Sequence, residues 1–444
     1  MAVATKTKKE EIINRYRTMF DLNEQQLNGQ INHPLHRIRQ QAMKHLENIG
    51  FPDRKDEDYK YTNVSRIAAL PFAEGAQPLA LDTAIAQQFR FDQLDAYQLT
   101  LVNGILDEQA SSIGKLPEGL TISTLQDAYQ TFNNQKLIEE TLKSELGQNA
   151  FVSLNTAFAQ NGLLIKVEKN TIVPKPIHIS HISTGQAEPV LYHPQILLFV
   201  GDNSEVELIE TFNSSGEFSY FNNPVSRITV EANAHVHHYK LQNENETAFQ
   251  INNTICTQER DSSYSSYVLD IGGKTTRNNL SVHLKASGTT TNLYGTYIAN
   301  GSQHIDNQTF IDHAFPHCQS NELYKGILDD KSRGVFNGKV NVRQDAQKTN
   351  AFQQNSSLVL SDSAVMDAKP QLEIFADDVR CSHGATIGQL DENSVYYLRT
   401  RGMNLEQAKS VLQFAFIAEV LEFFKLEAVK NRAHTLIEAK LKMT

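Results

Sequence analysis

The chain has 444 residues, 40% of them apolar and 21% charged, with a formal net charge of −10. That length exceeds one simple core and implies roughly two to four structural units. The acidic balance excludes a general nucleic-acid binder, which shows a basic face, and no run approaches the roughly 18–20 apolar residues of a membrane span.

The chain opens on "MAVATKTKKEEIINRY", polar and charged at once, so no secretory signal is expected. "EEIINRYRTMF" and "HPLHRIRQQAMKHLENIG" carry apolar residues at helical spacing, among them Leu35, Ile38, Ala42, Leu46 and Ile49. Gly50 and Pro52 stop the second helix. "FPDRKDEDYKYTNVSRI" reads as a charged connector. "YQLTLVNGIL" reads as a strand, "LQDAYQTF" and "QKLIEETLKSEL" as helices. Residues 1–150 are therefore expected to form an N-terminal helical or mixed domain.

From 151 to 386 strand-like pieces follow one another, from "GLLIKVEK" and "PIHISHIS" through "FQINNTICTQ" to "QHIDNQTFIDH". They alternate, favour Val, Ile, Thr and Tyr, and recur roughly ten residues apart with Gly, Asn, Asp and Ser between them. No useful amphipathic helix intervenes, which excludes a doubly wound α/β fold. A sandwich, barrel or solenoid remains. Roughly 230 residues is too long for a single sandwich, whereas a β-helix grows by adding coils. From 387 the pattern is helical. Asp391 caps "ENSVYYLRTRG" and Gly402 ends it; Asn404 caps "LEQAKSVLQFAFIAEVLEFFKLEAVKNRAH", with Gln407 at the capping-box position. A helical hairpin is expected over 387–444.

The cysteines are Cys256, Cys318 and Cys381, too few for a disulfide framework. They point to a reducing compartment, and a cytoplasmic location is expected. In "LEIFADDVRCSH", alternation that runs on places Cys381 and His383 on one strand face. A thiolate and an imidazole suit zinc, copper(I) or iron in a sulfur-rich setting. A closed site wants about four ligands, so this chain supplies half. The plainer reading is a buried cysteine beside a surface histidine. "HVHHYK" puts His235 and His237 on a second strand face beside His238, with no acid or cysteine close in sequence; a solvated strand is the simpler reading. "HAFPHC" holds His313, His317 and Cys318, but Pro316 rules out a helical ligand pair.

"DIGGKTTR" fails as a phosphate loop, because Val268 stands where the first glycine belongs. No ATP site is expected in this chain. In "VLQFAFIAEVLEFF" the apolar residues cover more than one stripe of a helix. Such a helix either packs its own domain with one side and a partner with the other, or is buried wholly within its own domain.

"PQLEIFADDVRCSHGATIGQLDENSVYYLRTRG" closely resembles the C-terminal signature of the SufB/SufD family of iron–sulfur cluster assembly subunits, on its SufD side. "PDRKDEDYKYTNVSRI" resembles the family's N-terminal motif, and "DHAFPHCQSNELYKGILDDKSRGVFNGKV" the motif shared by SufD and SufB. "CSHGATIGQLD" departs from the SufB-type segment "EHEATTSKI". The resemblance covers nearly the whole chain. It implies a mainly β architecture, a central right-handed parallel β-helix between N-terminal and C-terminal helical domains. It implies pairing with a SufB-like paralogue through the β-helix cores and docking of a SufC-like ATPase on the C-terminal helices, with a homodimer when the chain is alone. It maps Cys381 and His383 onto a transient iron–sulfur cluster shared with the SufB-like subunit, so that the chain is a non-catalytic scaffold; a reduced flavin in the complex is left open. The alternatives are a β-helix carbohydrate-active enzyme and the SufB paralogue itself.

Overall fold

The computed structural model describes residues 2–26, 33–74, 81–91, 94–144, 149–158, 162–185 and 189–442. Residues 145–146, the end of the expected helix "QKLIEETLKSEL", lie outside them; the described helix is Phe132–Ser144.

The centre is a mainly parallel β-solenoid of about seven turns, the parallel β-helix expected. Each turn lays one strand in each of two sheets, so every strand pairs with the strand one turn on. Thr275, His304 and Arg333 stack in register, 29 residues per turn. The strand-like runs appear where alternation places them: "FQINNTICTQ" is the strand Phe249–Gln258 and "QHIDNQTFIDH" contains His304–His313. Two strands from before residue 150, Tyr97–Val102 and Leu120–Thr124, join the same two sheets.

Stacking in register turns each inward position into a ladder. In the first sheet Leu198, Ile228, Cys256, Val282, Ile311 and Val340 follow one another, all buried. Cys256 is thus an apolar rung, and burial pushes its thiol well up. Glycines serve the same stacking. At Gly272 a Cβ would lie 2.3 Å from the Glu244 carbonyl oxygen one turn below, and Gly273 has φ +79°. That is why "GGK" forms a corner here.

Helices cover the outer faces. Pro34–Ile49 and Ala150–Phe158 bring Leu46, Phe151 and Phe158 into a cluster with Phe221 and Phe249 of the first sheet. The segment 51–67 is more than a charged connector. Tyr59 lies under the Arg277 guanidinium, 4.1 Å from ring centre to Cζ, and the Thr62 hydroxyl bonds His304 Nε2 at 2.8 Å and donates to Asp306. Asp306 also pairs with the buried Arg277. The polar residues of this motif pin the N-terminal region to the solenoid wall.

The C-terminal caps form as the sequence implies. Asp391 accepts from Asn393 and Ser394, and Asn404 makes a full capping box with Gln407. The long helix divides into Leu405–Leu421 and Glu427–Lys440. Phe423 stacks on Tyr294 at 4.1 Å while Phe424 meets Tyr267 at 5.3 Å. Adjacent residues on a helix point about 100° apart, so seating both rings on one tyrosine row ends the helix. Ile417, Val420 and Leu421 face the second sheet, and Val429, Ala433 and Ile437 complete the same cluster. The apolar band is covered on two sides by its own chain. Of the exposed apolar side chains in this region, Tyr396 and Tyr397 lie one helix earlier, Leu405 opens the helix and Phe423 lies just past its end.

Candidate metal centre

"LEIFADDVRCSH" is not one strand. Gln371–Ile374 ends the first sheet, the chain turns a corner over 375–379, and Arg380–Gly388 ends the second sheet. Asp378 makes the corner: its N–H donates to Gln347 at 2.9 Å, and its carboxylate pairs with Lys348 of the turn below. Among the described residues Arg380–Gly388 pairs only with Asn350–Val359, and its other edge carries no strand.

Alternation still places Cys381 and His383 on one face, and that face is the inward one. Cys381 is the last rung of the ladder Val236, Tyr264, Thr291, Ser320, Ala351. His383 is the last rung of the next ladder: His238, Ser266, Leu293, Glu322, Gln353. Every earlier rung of both ladders is buried, whereas Cys381 is half-buried and His383 exposed. Two interior ladders therefore surface together at the open end of the solenoid. Burial raises the Cys381 thiol above the usual range, against a hydrogen bond with the Ala351 backbone. Around the site Phe352, Phe375 and Ile387 are exposed, Phe375 to 63%. His383, Gln353 and Glu322 line one open groove of about 580 Å³ with Phe352 and Phe423.

The donors fit a thiophilic metal, one thiolate and one imidazole sharing a face. Among the described residues no group of three or more His, Cys, Asp or Glu side chains is placed to hold a metal.

Comparison with known proteins matches the SufBD core domain of the SUF iron–sulfur cluster assembly system to residues 181–416, and the SufBD N-terminal region to residues 10–179. The chain belongs to the SufBD family of iron–sulfur cluster assembly proteins. It is 32% identical to the SufD assembly protein of Escherichia coli, over 90% of this chain and 92% of that protein. It is also 32% identical to a SufBD family protein of Synechocystis, over 90% of each chain, and 31% identical to the chloroplastic protein ABCI7 of Arabidopsis thaliana, over 92% of this chain and 86% of that one. SufBD membership displaces the polysaccharide-processing alternative.

The other candidates of this SufBD chain are structural. His235 bonds Ser263 and His237 bonds Tyr267, on the outward face of their strand. His238 points inward, between Tyr264 and the buried Glu210. Glu210 also meets His181. Burial alone would raise its carboxyl; the two imidazoles more than offset that and hold it below the usual range. His313 is buried against Ser320 at 2.9 Å, while His317 is exposed with φ +62°, so "HAFPHC" brings no ligands together. Cys318 is buried, its Sγ 3.4 Å from the Ala286 carbonyl.

Sequence reading missed the polar interior. Asp270, Glu244 and Glu322 are buried inside the solenoid, each pushed up to about 7 by burial. Register between turns marks Asp270 and Glu322 as inward, while Glu244 is buried at the corner just past His235–Asn243.

Proposed function

We propose that this chain is a non-catalytic scaffold subunit of a SufB–SufC–SufD-type complex. Its open solenoid end brings Cys381 and His383 to a nascent iron–sulfur cluster, and a SufB-like paralogue stacked on that end supplies the remaining ligands. The observation that carries the reading is the surfacing of two buried ladders at one exposed strand edge, ringed by exposed apolar side chains. An uncovered strand edge is a pairing surface, and a two-ligand site needs a second ligand source. The cluster is cargo: a thiolate–imidazole half-site releases it when the partner moves, a coupling between two states.

The chain organisation proposed is 1–150 as the N-terminal unit, 151–386 as the core and 387–444 as the ATPase-docking unit, where Tyr396 is 70% exposed. ATP hydrolysis belongs to the SufC-like subunit. No described helix is long and apolar enough to cross a membrane, and the three cysteines are free; the compartment proposed is the cytoplasm.

Co-expression with the two partner subunits, followed by anaerobic reconstitution and absorption spectroscopy, tests the reading. The wild-type complex develops cluster bands. A Cys381→Ala, His383→Ala complex of the same composition does not. Equal bands from both would refute the site.

A further inference from the structure

His383 is preceded in its ladder by two polar rungs, an unusual pair for the inside of a fold. Gln353 is 3% exposed and Glu322 4%. The Gln353 amide Nε2–H donates to Glu322 Oε2 at 2.6 Å. The space for that amide is built in: at Gly338, across the interior, a Cβ would lie 2.1 Å from Gln353 Nε2. While Glu322 is ionised its oxygens only accept, so the amide turns its nitrogen to them and has one orientation. Its Oε1 is buried and has no hydrogen-bond partner among the described residues. A buried carbonyl left unmatched costs free energy. The next rung above it is His383, one strand spacing away.

We propose that Gln353 is a positioning residue for His383, with Gln353 Oε1 accepting one imidazole N–H and Glu322 fixing the amide that does so. An imidazole that donates one N–H to a carbonyl keeps its other nitrogen as an unprotonated lone pair with a set direction, which is the form a metal takes. The described conformation leaves Gln353 Oε1 unpartnered; a rotation of the exposed His383 ring closes the proposed bond and sets the binding tautomer before the partner arrives. This rests on the assignment of His383 as a cluster ligand, and its test separates the two.

The test uses the full-length chain labelled with ¹⁵N-histidine, with the His383 resonances assigned by their loss in His383→Asn. Wild type gives widely split ring-nitrogen shifts, the mark of one dominant tautomer. Gln353→Leu collapses the splitting toward the average of two exchanging tautomers. The swapped pair, Glu322→Gln with Gln353→Glu, restores it, because donor and acceptor are exchanged within the same bond. In the three-subunit complex Gln353→Leu lowers cluster yield about tenfold. Unchanged His383 shifts in Gln353→Leu, with wild-type thermal unfolding, overturn the proposal. If the shifts move as stated while His383→Ala leaves cluster yield intact, the positioning stands and the ligand assignment falls.

Discussion

The two ends of the solenoid are built differently. At the N-terminal end the parallel ladders stop against antiparallel strands of the same chain: Ile105–Leu106 returns on Tyr97–Val102, and Leu120–Thr124 on Gly162–Val167. The interior there starts on the apolar, buried ladder Tyr97, Ile177 and Leu208, beside which Leu99 and Ile179 lead to the buried Glu210. At the other end no described strand turns back. The interior carries Ser320, Glu322 and Gln353, and the last strand is exposed along most of its length. A coil buries one face on each neighbour, so a terminal coil needs a cap. One end has its cap within the chain; the other has none among the described residues, and Cys381 and His383 stand there.

That contrast can be broken by substitution. Leu198→Ala, in the apolar ladder, should cost about 2–5 kcal/mol, whereas Ile387→Ala on the open edge should stay within about 0.5 kcal/mol. Urea unfolding of the pair checks this; a large loss at Ile387 would mean that the edge is packed by its own chain.

The ends also differ in the sign of their response to pH. Near the closed end His178, between Gln98 and Thr211, is pushed down to about 3 by burial. The unfolded chain takes up this proton near 6.5 and the folded chain does not, so stability falls as pH drops below about 6.5. Glu322 is pushed up to about 7, so its contribution is present below about 4.5 and lost as pH rises through 7. Glu322→Gln should therefore gain on wild type with rising pH, by up to about 3 kcal/mol at pH 8. His178→Gln should gain on it as pH falls from 6.5 to 4. Thermal unfolding across pH 4–8 reads both; parallel curves would contradict the assigned burial.

A smaller effect belongs to the C-terminal hairpin, which serves neither end's interior. Asn404→Ala removes the capping box and should cost about 1 kcal/mol, seen as a lowered unfolding midpoint with cluster yield unchanged once the protein is folded.

Local chemistry was legible in the sequence. Asp391, Asn404 and Gln407 cap where their spacing says, since a cap depends on three or four neighbouring residues. Strand positions were legible from alternation. The turn length was not, because two strands per turn give a short apparent spacing while pairing follows 29 residues. The motif at 51–67 reads as a connector because its partners, Arg277, His304 and Asp306, lie more than two hundred residues away. For the site, the shared face of Cys381 and His383 was legible, though the corner at 375–379 replaces the continuous strand that suggested it. Their inward direction was hidden, because an exposed terminal strand carries no apolar alternation to mark its inner side. The Glu322–Gln353 pair was hidden because sequence pattern equates inward with apolar.

The account turns on a half-site that is finished by another chain. Anaerobic titration of iron and sulfide, followed by absorption, into the isolated chain and into its complex with the paralogue and ATPase tests this directly. Cluster bands should form in the complex and not in the isolated chain. A stable cluster held by the isolated chain would contradict it.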